Sequence, residues 1–149
     1  MTQKEGLNWC NHHTVEGKRT SATMLPSFNT VILDVENSVS LITAKELLKE
    51  YTAFFYTTKN HNLPGKGERY RIIIPIEYVL KLNSSEFSEF MDNVYSWLPF
   101  KVDTSAKDCS RKWASRKGQF FTNTGKLLDP FPFIPNTSKN TEFKHQQQT

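Results

Sequence analysis

The stretch TVILDVE, residues 30–36, is a continuous β-branched and apolar run that ends in two acids. Its length and composition predict a β-strand that is buried on both faces. Asp34 and Glu36 are two residues apart, and side chains at that spacing project to the same face of a strand. The stretch therefore predicts a buried strand whose C-terminal end places two carboxylates at one point.

Two neighbouring carboxylates are a candidate metal site. Without a cation between them they repel, and one of them would take up a proton. Oxygen ligands are what Mg²⁺ and Mn²⁺ prefer. Asp103, at the end of a short apolar segment predicted as a strand over residues 100–103, would complete the acidic cluster that two-metal nucleotidyl transfer requires. The alternative for Asp103 or Asp108 is that one of them is only a turn residue. The alternative for Asp34 and Glu36 is that they are a pair of solvated acids at the strand end.

The remaining elements alternate between helical and extended patterns. Thr43 and Glu46 form a capping-box pattern for a first helix, and Ser84 or Ser85 caps a second helix that Pro99 ends. Further strands are predicted over residues 52–58, 69–76 (ending at the proline) and 118–122.

Basic residues surround the loop after the second predicted strand. His61 follows Lys59 in this loop, and the next strand opens with Arg69 and Arg71, again an i, i+2 pair on one face. Bidentate guanidinium contacts suit a triphosphate. The alternative is that the two arginines are the exposed face of an edge strand.

Composition fits one compact domain. The chain has 149 residues, 37% of them hydrophobic, a formal charge of +4 and a pI near 9.1, which is compatible with a polyanionic partner. Cys10 and Cys109 predict neither a disulfide framework nor a zinc site. We expect a cytoplasmic protein, because the start resembles no signal peptide and no apolar run would span a bilayer.

The chain divides by composition into a core and a tail. Residues 1–128 are predicted to form the core domain, of which residues 1–28 are an irregular N-terminal segment. From residue 129 to residue 149 the sequence is rich in Pro, Ser and Gln, which is typical of a tail or linker.

These motifs, in this order, resemble the catalytic core of the archaeo-eukaryotic primase superfamily, especially the primase-polymerases of phages and plasmids. The first motif is VILDVEN at residues 31–37, and the second is YTTKNH at 56–61, followed by RYRIIIP at 69–75. The third is KVDTS at 101–105, followed by DCSR at 108–111. The resemblance covers roughly residues 17–122.

The resemblance implies a fold and an activity. The fold would be α+β (α/β), an RRM-like palm in which a mixed or mostly antiparallel sheet has helices packed on one face. The activity would be that of a metal-dependent, template-directed nucleotidyltransferase, a DNA primase or DNA polymerase. Nucleoside triphosphates and single-stranded or primer-template DNA would be its substrates. A helicase domain or partner would accompany it, and a membrane would not.

The resemblance also implies roles for individual residues. Two Mg²⁺ or Mn²⁺ ions would be held by Asp34, Glu36 and Asp103. His61, the fourth catalytic candidate, would contact the phosphates of the incoming nucleotide. Phosphate or template contacts are further expected from Lys59, Arg69, Arg71 and Arg111.

Two alternatives use the same residues differently. A metal-dependent nuclease would need the acids but no nucleoside triphosphate. A non-catalytic nucleic-acid-binding replication accessory would use aromatic side chains on its sheet, whereas the prominent positions here are acids and arginines. Asp34→Ala is expected to abolish metal-dependent nucleotide incorporation and to leave the fold intact.

Overall fold

The computed structural model describes residues 8–12, 26–105, 107–108 and 111–135. Its elements, in chain order, are β1 (Asn8–Trp9), β2 (Ser27–Glu36), α1 (Leu41–Leu47), β3 (Ala53–Thr57), β4 (Arg69–Lys81), α2 (Ser84–Trp97), β5 (Trp113–Ala114), β6 (Phe120–Asn123) and a 3-10 helix (Phe131–Phe133). The main sheet has the order β2-β4-β3-β6, with every neighbouring pair antiparallel.

One face of this sheet is covered by both helices. Val31, Leu33 and Val35 of β2 alternate onto this face and join the core cluster with residues such as Leu41 of α1 and Phe90 of α2. The predicted α+β class, with a mostly antiparallel sheet and helices on one face, is confirmed.

The other face, called the open face below, carries the polar residues of interest. Strand pairing places on it Ile32, Asp34 and Glu36 of β2, Arg69, Arg71 and Ile73 of β4, Phe54 and Tyr56 of β3, and Phe120 and Thr122 of β6. Two short strands, β1 and β5, pair with each other as a small antiparallel ribbon. The ribbon packs Trp9 and Trp113 onto Ile32, so it covers the centre of this face.

The strand predicted to end at its proline continues past it. β4 runs on through residues 76–81, and its pairing with β2 shifts from Thr30↔Pro75 to Phe28↔Leu80. Proline has no N–H to donate to the ladder, so the strand bulges after Pro75 and then resumes pairing. The carbonyl of Pro75 instead accepts from the backbone N–H of Leu128 at 3.2 Å.

Both helices begin earlier than predicted. Ser40, not Thr43, caps α1, and its hydroxyl accepts from the Thr43 backbone N–H at 3.2 Å. The N-cap of α2 is Asn83, which forms a capping box with Glu86 in place of the predicted Ser84 or Ser85. In each case a side chain further upstream has an oxygen at the right spacing.

The strand predicted over residues 100–103 is instead an irregular segment beside β2. Its backbone N–H at Asp103 donates to the Asp34 carbonyl at 2.8 Å, and the Lys101 carbonyl accepts from the Ser38 hydroxyl at 2.5 Å. One ladder-type bond does not make a strand, yet it brings the third acid of the sequence pattern next to the first.

The predicted division into core and tail remains a prediction. Phe133 and Ile134, beyond the predicted boundary, are nonetheless buried in the main core, while residues 136–149 lie outside the described part. Of the irregular N-terminal segment, residues 1–7 and 13–25 also lie outside it. Neither helix in the described ranges is long and apolar enough to cross a membrane.

Candidate functional site

A small cavity opens at the edge of the open face where β2 ends and β4 begins. Its volume is about 160 Å³, and its lining residues are Asp34, Val35, Glu36, Thr58, Lys59, Asn60, Arg69 and Arg71. The antiparallel register sets Asp34 opposite Arg71 and Glu36 opposite Arg69. The two acids and two arginines predicted from i, i+2 spacing therefore meet across adjacent strands.

Asp34 and Arg71 form a buried, bidentate ion pair. The Arg71 Nε donates to Asp34 Oδ1 at 2.6 Å, and Nη2 donates to Oδ2 at 3.3 Å. Each residue is only 8% exposed. Isolated buried charges are costly, so each of these two stabilises the other in place.

The ribbon closes over this ion pair. Arg71 Nη1 donates to the Tyr56 hydroxyl at 2.7 Å and to the Ala114 carbonyl at 2.9 Å, and the guanidinium carbon lies 4.7 Å from the centre of the Trp113 ring. Burial would lower the pKa of Arg71, but the hydrogen bond and charge of Asp34 outweigh it and raise that pKa. All three guanidinium nitrogens are thus engaged inside the protein.

Glu36 and Arg69 form a looser pair at the mouth of the cavity. The Arg69 Nη1 lies 3.6 Å from Glu36 Oε1, and the two side chains are 25% and 51% exposed respectively. An exposed pair of this kind contributes little to stability. Arg69 and Lys59, which lines the same cavity, are therefore the cavity cations best placed to bind a phosphate.

Asp103 lies beside Asp34 through its backbone but does not line the cavity. Its Oδ1 accepts from the backbone N–H of Ser105 at 2.9 Å and from the Ser105 hydroxyl at 2.7 Å, a turn arrangement. Burial acts to raise the pKa of Asp103, but these two bonds and the charge of Arg111 together lower it. The carboxylate is ionised, and in this conformation it is directed to its own loop.

Ser105→Ala is expected to raise the pKa of Asp103 towards its ordinary value, because one of the bonds to the charged form is lost. A depressed folded-state pKa contributes stability above the unfolded-state pKa, and this contribution disappears as the pH falls through the folded-state value. The variant should therefore be less stable than the wild type near neutral pH, and the two should have the same stability in strong acid. A carboxyl-carbon NMR titration measures the shift, and Thr104→Ala is the control. An unchanged Asp103 titration would show that the bonds from Ser105 do not lower the pKa of Asp103.

His61 anchors the loop that borders the cavity. The ring Nδ1 accepts from the Arg69 backbone N–H at 3.0 Å. The backbone N–H of His61 donates to the Thr58 carbonyl at 3.0 Å. Nε2 lies 3.1 Å from the Asn62 side-chain amide. The ring does not line the cavity, whereas Lys59 does. Because Nδ1 is bonded to the backbone, Nε2, whose contact with Asn62 is exposed, is the ring nitrogen that remains for a ligand.

Arg111 and Tyr95 lie near Asp103, outside the cavity. The Arg111 guanidinium carbon is 5.2 Å from the centre of the Trp113 ring. Burial and the nearby charge of Asp103 raise the pKa of Tyr95, so its hydroxyl stays protonated. Among the described residues this buried hydroxyl has no hydrogen-bond partner.

Comparison with known proteins finds one informative likeness. No family model and no curated protein matches this sequence. A solved structure, the AEP domain (archaeo-eukaryotic primase domain) of the cyanophage S-2L primase-polymerase, superposes with a TM-score of 0.52 at 18% sequence identity. The fold of this protein is primase-like. The match covers 80% of this chain and 66% of that one, so the protein spans a little under two thirds of its structural neighbour.

A primase-like fold raises the question of whether the cavity fits a divalent metal ion. The donor chemistry fits: Asp34 and Glu36 present carboxylates to one cavity, and the backbone of Asp103 is bonded to that of Asp34. Within the described ranges, however, no three His, Cys, Asp or Glu side chains converge on one point. The cation that Asp34 contacts in this conformation is Arg71.

Sequence reasoning missed the residues that cover the candidate site. Trp9 donates from Nε1 to the Tyr56 hydroxyl at 3.1 Å, and Trp113 packs beside both Trp9 and Arg71. These tryptophans belong to two-residue strands, which are too short to show a periodic pattern. The signal available in the sequence was a pair of tryptophans in otherwise polar segments.

Proposed function

We propose that this protein is a metal-dependent, template-directed nucleotidyltransferase, a DNA primase or DNA polymerase of the archaeo-eukaryotic primase superfamily. The observation that carries the proposal is the cavity in which Asp34 and Glu36 face Lys59 and Arg69 within a primase-like fold. Carboxylates and cations that line one cavity suit a nucleoside triphosphate that binds with divalent metal ions.

In this proposal the acids hold the metal and the basic residues hold the phosphates. Asp34 and Glu36 line the cavity, and Asp103 is close enough in the backbone to join them when its carboxylate turns away from Ser105. Bound Mg²⁺ or Mn²⁺ would supply charge neutralisation and activation of the primer 3′-hydroxyl. Lys59, Arg69 and the Nε2 of His61 would bind and orient the triphosphate.

Arg71 has a different role from the one that its spacing suggested. Because its guanidinium is fully engaged by Asp34, Tyr56 and Ala114, it serves as the resident counter-ion of Asp34. It would remain the partner of this buried side chain until a divalent ion replaces it. Arg111, outside the cavity, would contact the template.

A primer-extension assay tests the proposal. The protein is incubated with a labelled primer-template and either Mg²⁺ or Mn²⁺, with dNTPs and with NTPs, and in parallel with an unprimed template. Metal-dependent lengthening of the primer, or new strands on the unprimed template, is the expected result. Shortening of the labelled strand without nucleotides would indicate the nuclease alternative instead.

A second candidate, a non-catalytic binder of nucleic acid, is favoured by the Asp34–Arg71 pair. A carboxylate already neutralised by an internal guanidinium needs no metal, and no three-ligand cluster is assembled within the described residues. A protein that binds the primer-template yet neither extends nor cleaves it with either ion would support this candidate and contradict the first.

A further inference from the structure

Two phenylalanines, one exposed and one partly buried, lie together at the edge of the open face, away from the cavity. Phe54 of β3 and Phe120 of β6 stack with ring centroids 6.2 Å apart and planes inclined by 24°. β6 is the last strand of the sheet, and Phe120 is 44% exposed. This pair is called the aromatic platform below. Neither phenylalanine has a role in the proposed reaction.

The platform continues an aromatic band that leads to the candidate site. Phe120 lies opposite Tyr56 in the strand register, and Tyr56 contacts Trp9 and Arg71. Tyr56 is fully buried beneath the ribbon, whereas the platform extends beyond the ribbon's cover in the described part of the chain. A flexible ligand on the platform would therefore point along the sheet towards the cavity.

The segment that leads into β6 is strongly basic. From Arg111 to Gly125 inclusive, the sequence has four Lys or Arg residues and no acid. Lys117 is exposed and Arg116 is partly exposed, and both immediately precede the platform strand. The segment is fixed to the sheet, because the Gln119 N–H donates to the Thr57 hydroxyl at 2.9 Å. Two cations therefore lie in the segment that directly leads into the strand carrying Phe120.

We propose that the aromatic platform binds a single strand of nucleic acid, with bases stacked on Phe54 and Phe120 and phosphates on Arg116 and Lys117. Stacking on aromatic side chains beside a basic strip is how single strands bind without sequence preference. A duplex keeps its bases stacked on each other and cannot offer them to the rings. The site goes beyond the proposed reaction, since it requires neither metal nor nucleoside triphosphate.

Binding of a fluorescein-labelled oligo-dT, measured by anisotropy at low salt with EDTA present, tests this site independently of catalysis. Phe120→Ala and Phe54→Ala should each weaken binding about 10-fold, within the range for loss of one stacked base. Lys117→Gln should reduce the slope of log affinity against log salt by about 0.7, as for one phosphate contact on a single strand. The outcome of these binding assays does not depend on whether primer extension is observed.

Two controls distinguish stacking from general apolar contact or misfolding. Phe120→Leu keeps an apolar side chain without a π-face and should bind as weakly as Phe120→Ala, while Phe120→Trp should retain affinity. Leu127→Ala removes an apolar residue of similar exposure, 43%, and should bind like the wild type. The proposal is overturned if the wild type does not bind oligo-dT, if both Phe variants bind like Leu127→Ala, or if duplex DNA competes as well as oligo-dT.

Discussion

Asp34→Ala is expected to lower the free energy of unfolding by about 3–5 kcal/mol as well as to abolish nucleotide incorporation, because it leaves Arg71 buried without its counter-ion. In a domain of this size that corresponds to a fall in Tm of about 10 °C. The sequence pattern by itself suggested that this variant would fold normally, since it gave no sign of the partner of Asp34. Thermal unfolding and the extension assay measure the two effects.

The double variant Asp34→Ala/Arg71→Met separates the two effects. Replacing a buried ion pair by apolar groups is often neutral, so stability should return to within about 1 kcal/mol of the wild type. The Ala114 carbonyl keeps the Tyr56 hydroxyl as a donor at 3.1 Å. Incorporation should stay absent because the metal-binding carboxylate is missing. A double variant as unstable as the single one would refute the unpaired-charge explanation.

The matched control for this cycle is Asp92→Ala. Asp92 is paired with Lys107 at 3.0 Å, but both side chains are substantially exposed, at 51% and 40%. Its loss should cost no more than about 1 kcal/mol. Equal destabilisation by Asp34→Ala and Asp92→Ala would show that burial does not determine the strength of the Asp34–Arg71 pair.

Glu36→Gln should reduce metal-dependent incorporation at least about 100-fold while leaving stability within about 0.5 kcal/mol. Its side chain is 51% exposed and its ion pair with Arg69 is long, at 3.6 Å, so the fold depends little on it. The amide keeps the shape of the side chain but loses the negative charge that a divalent ion requires. Single-nucleotide incorporation kinetics over a range of Mn²⁺ concentrations measure the loss.

Glu50→Gln is the matched control for Glu36→Gln. Glu50 is also exposed and pairs with a cation, Lys126, at a similar distance of 3.5 Å, but it lies outside the cavity. It should behave like the wild type in both assays. Full activity of Glu36→Gln would remove this residue from the proposed metal site, while loss of activity in both variants would indicate an effect of surface charge.

The platform changes how the open face is interpreted. In the sequence, the prominent sheet-face positions are acids and arginines rather than aromatics, which argues against simple RNA binding of the RRM type. The structure places Phe54, Tyr56 and Phe120 on that same face. Their contribution emerges only when β3 pairs with β6, because Phe54 and Tyr56 lie in one apolar segment and Phe120 lies in another that is distant in sequence.

Local patterns determined much of this protein. The buried strand β2, the shared face of Asp34 and Glu36, the shared face of Arg69 and Arg71, and the two amphipathic helices all follow from periodicities of two and 3.6 residues. These features depend on residues that are close in sequence, so they can be predicted from the sequence directly. The α+β class, which rested on the family resemblance, agrees with the same order of strands and helices.

Tertiary structure alone decided which of these faces meet. The register between β2 and β4 sets Arg71 against Asp34, and the ribbon of β1 and β5 buries that pair beneath Trp9 and Trp113. The same long-range pairing stacks Phe54 on Phe120 and leaves Asp103 bonded to the backbone of Asp34 with its carboxylate turned to Ser105. The spacing within one strand tells which residues share a face, but the residues that they meet on the neighbouring strand depend on the register, which is set when the apolar faces pack together.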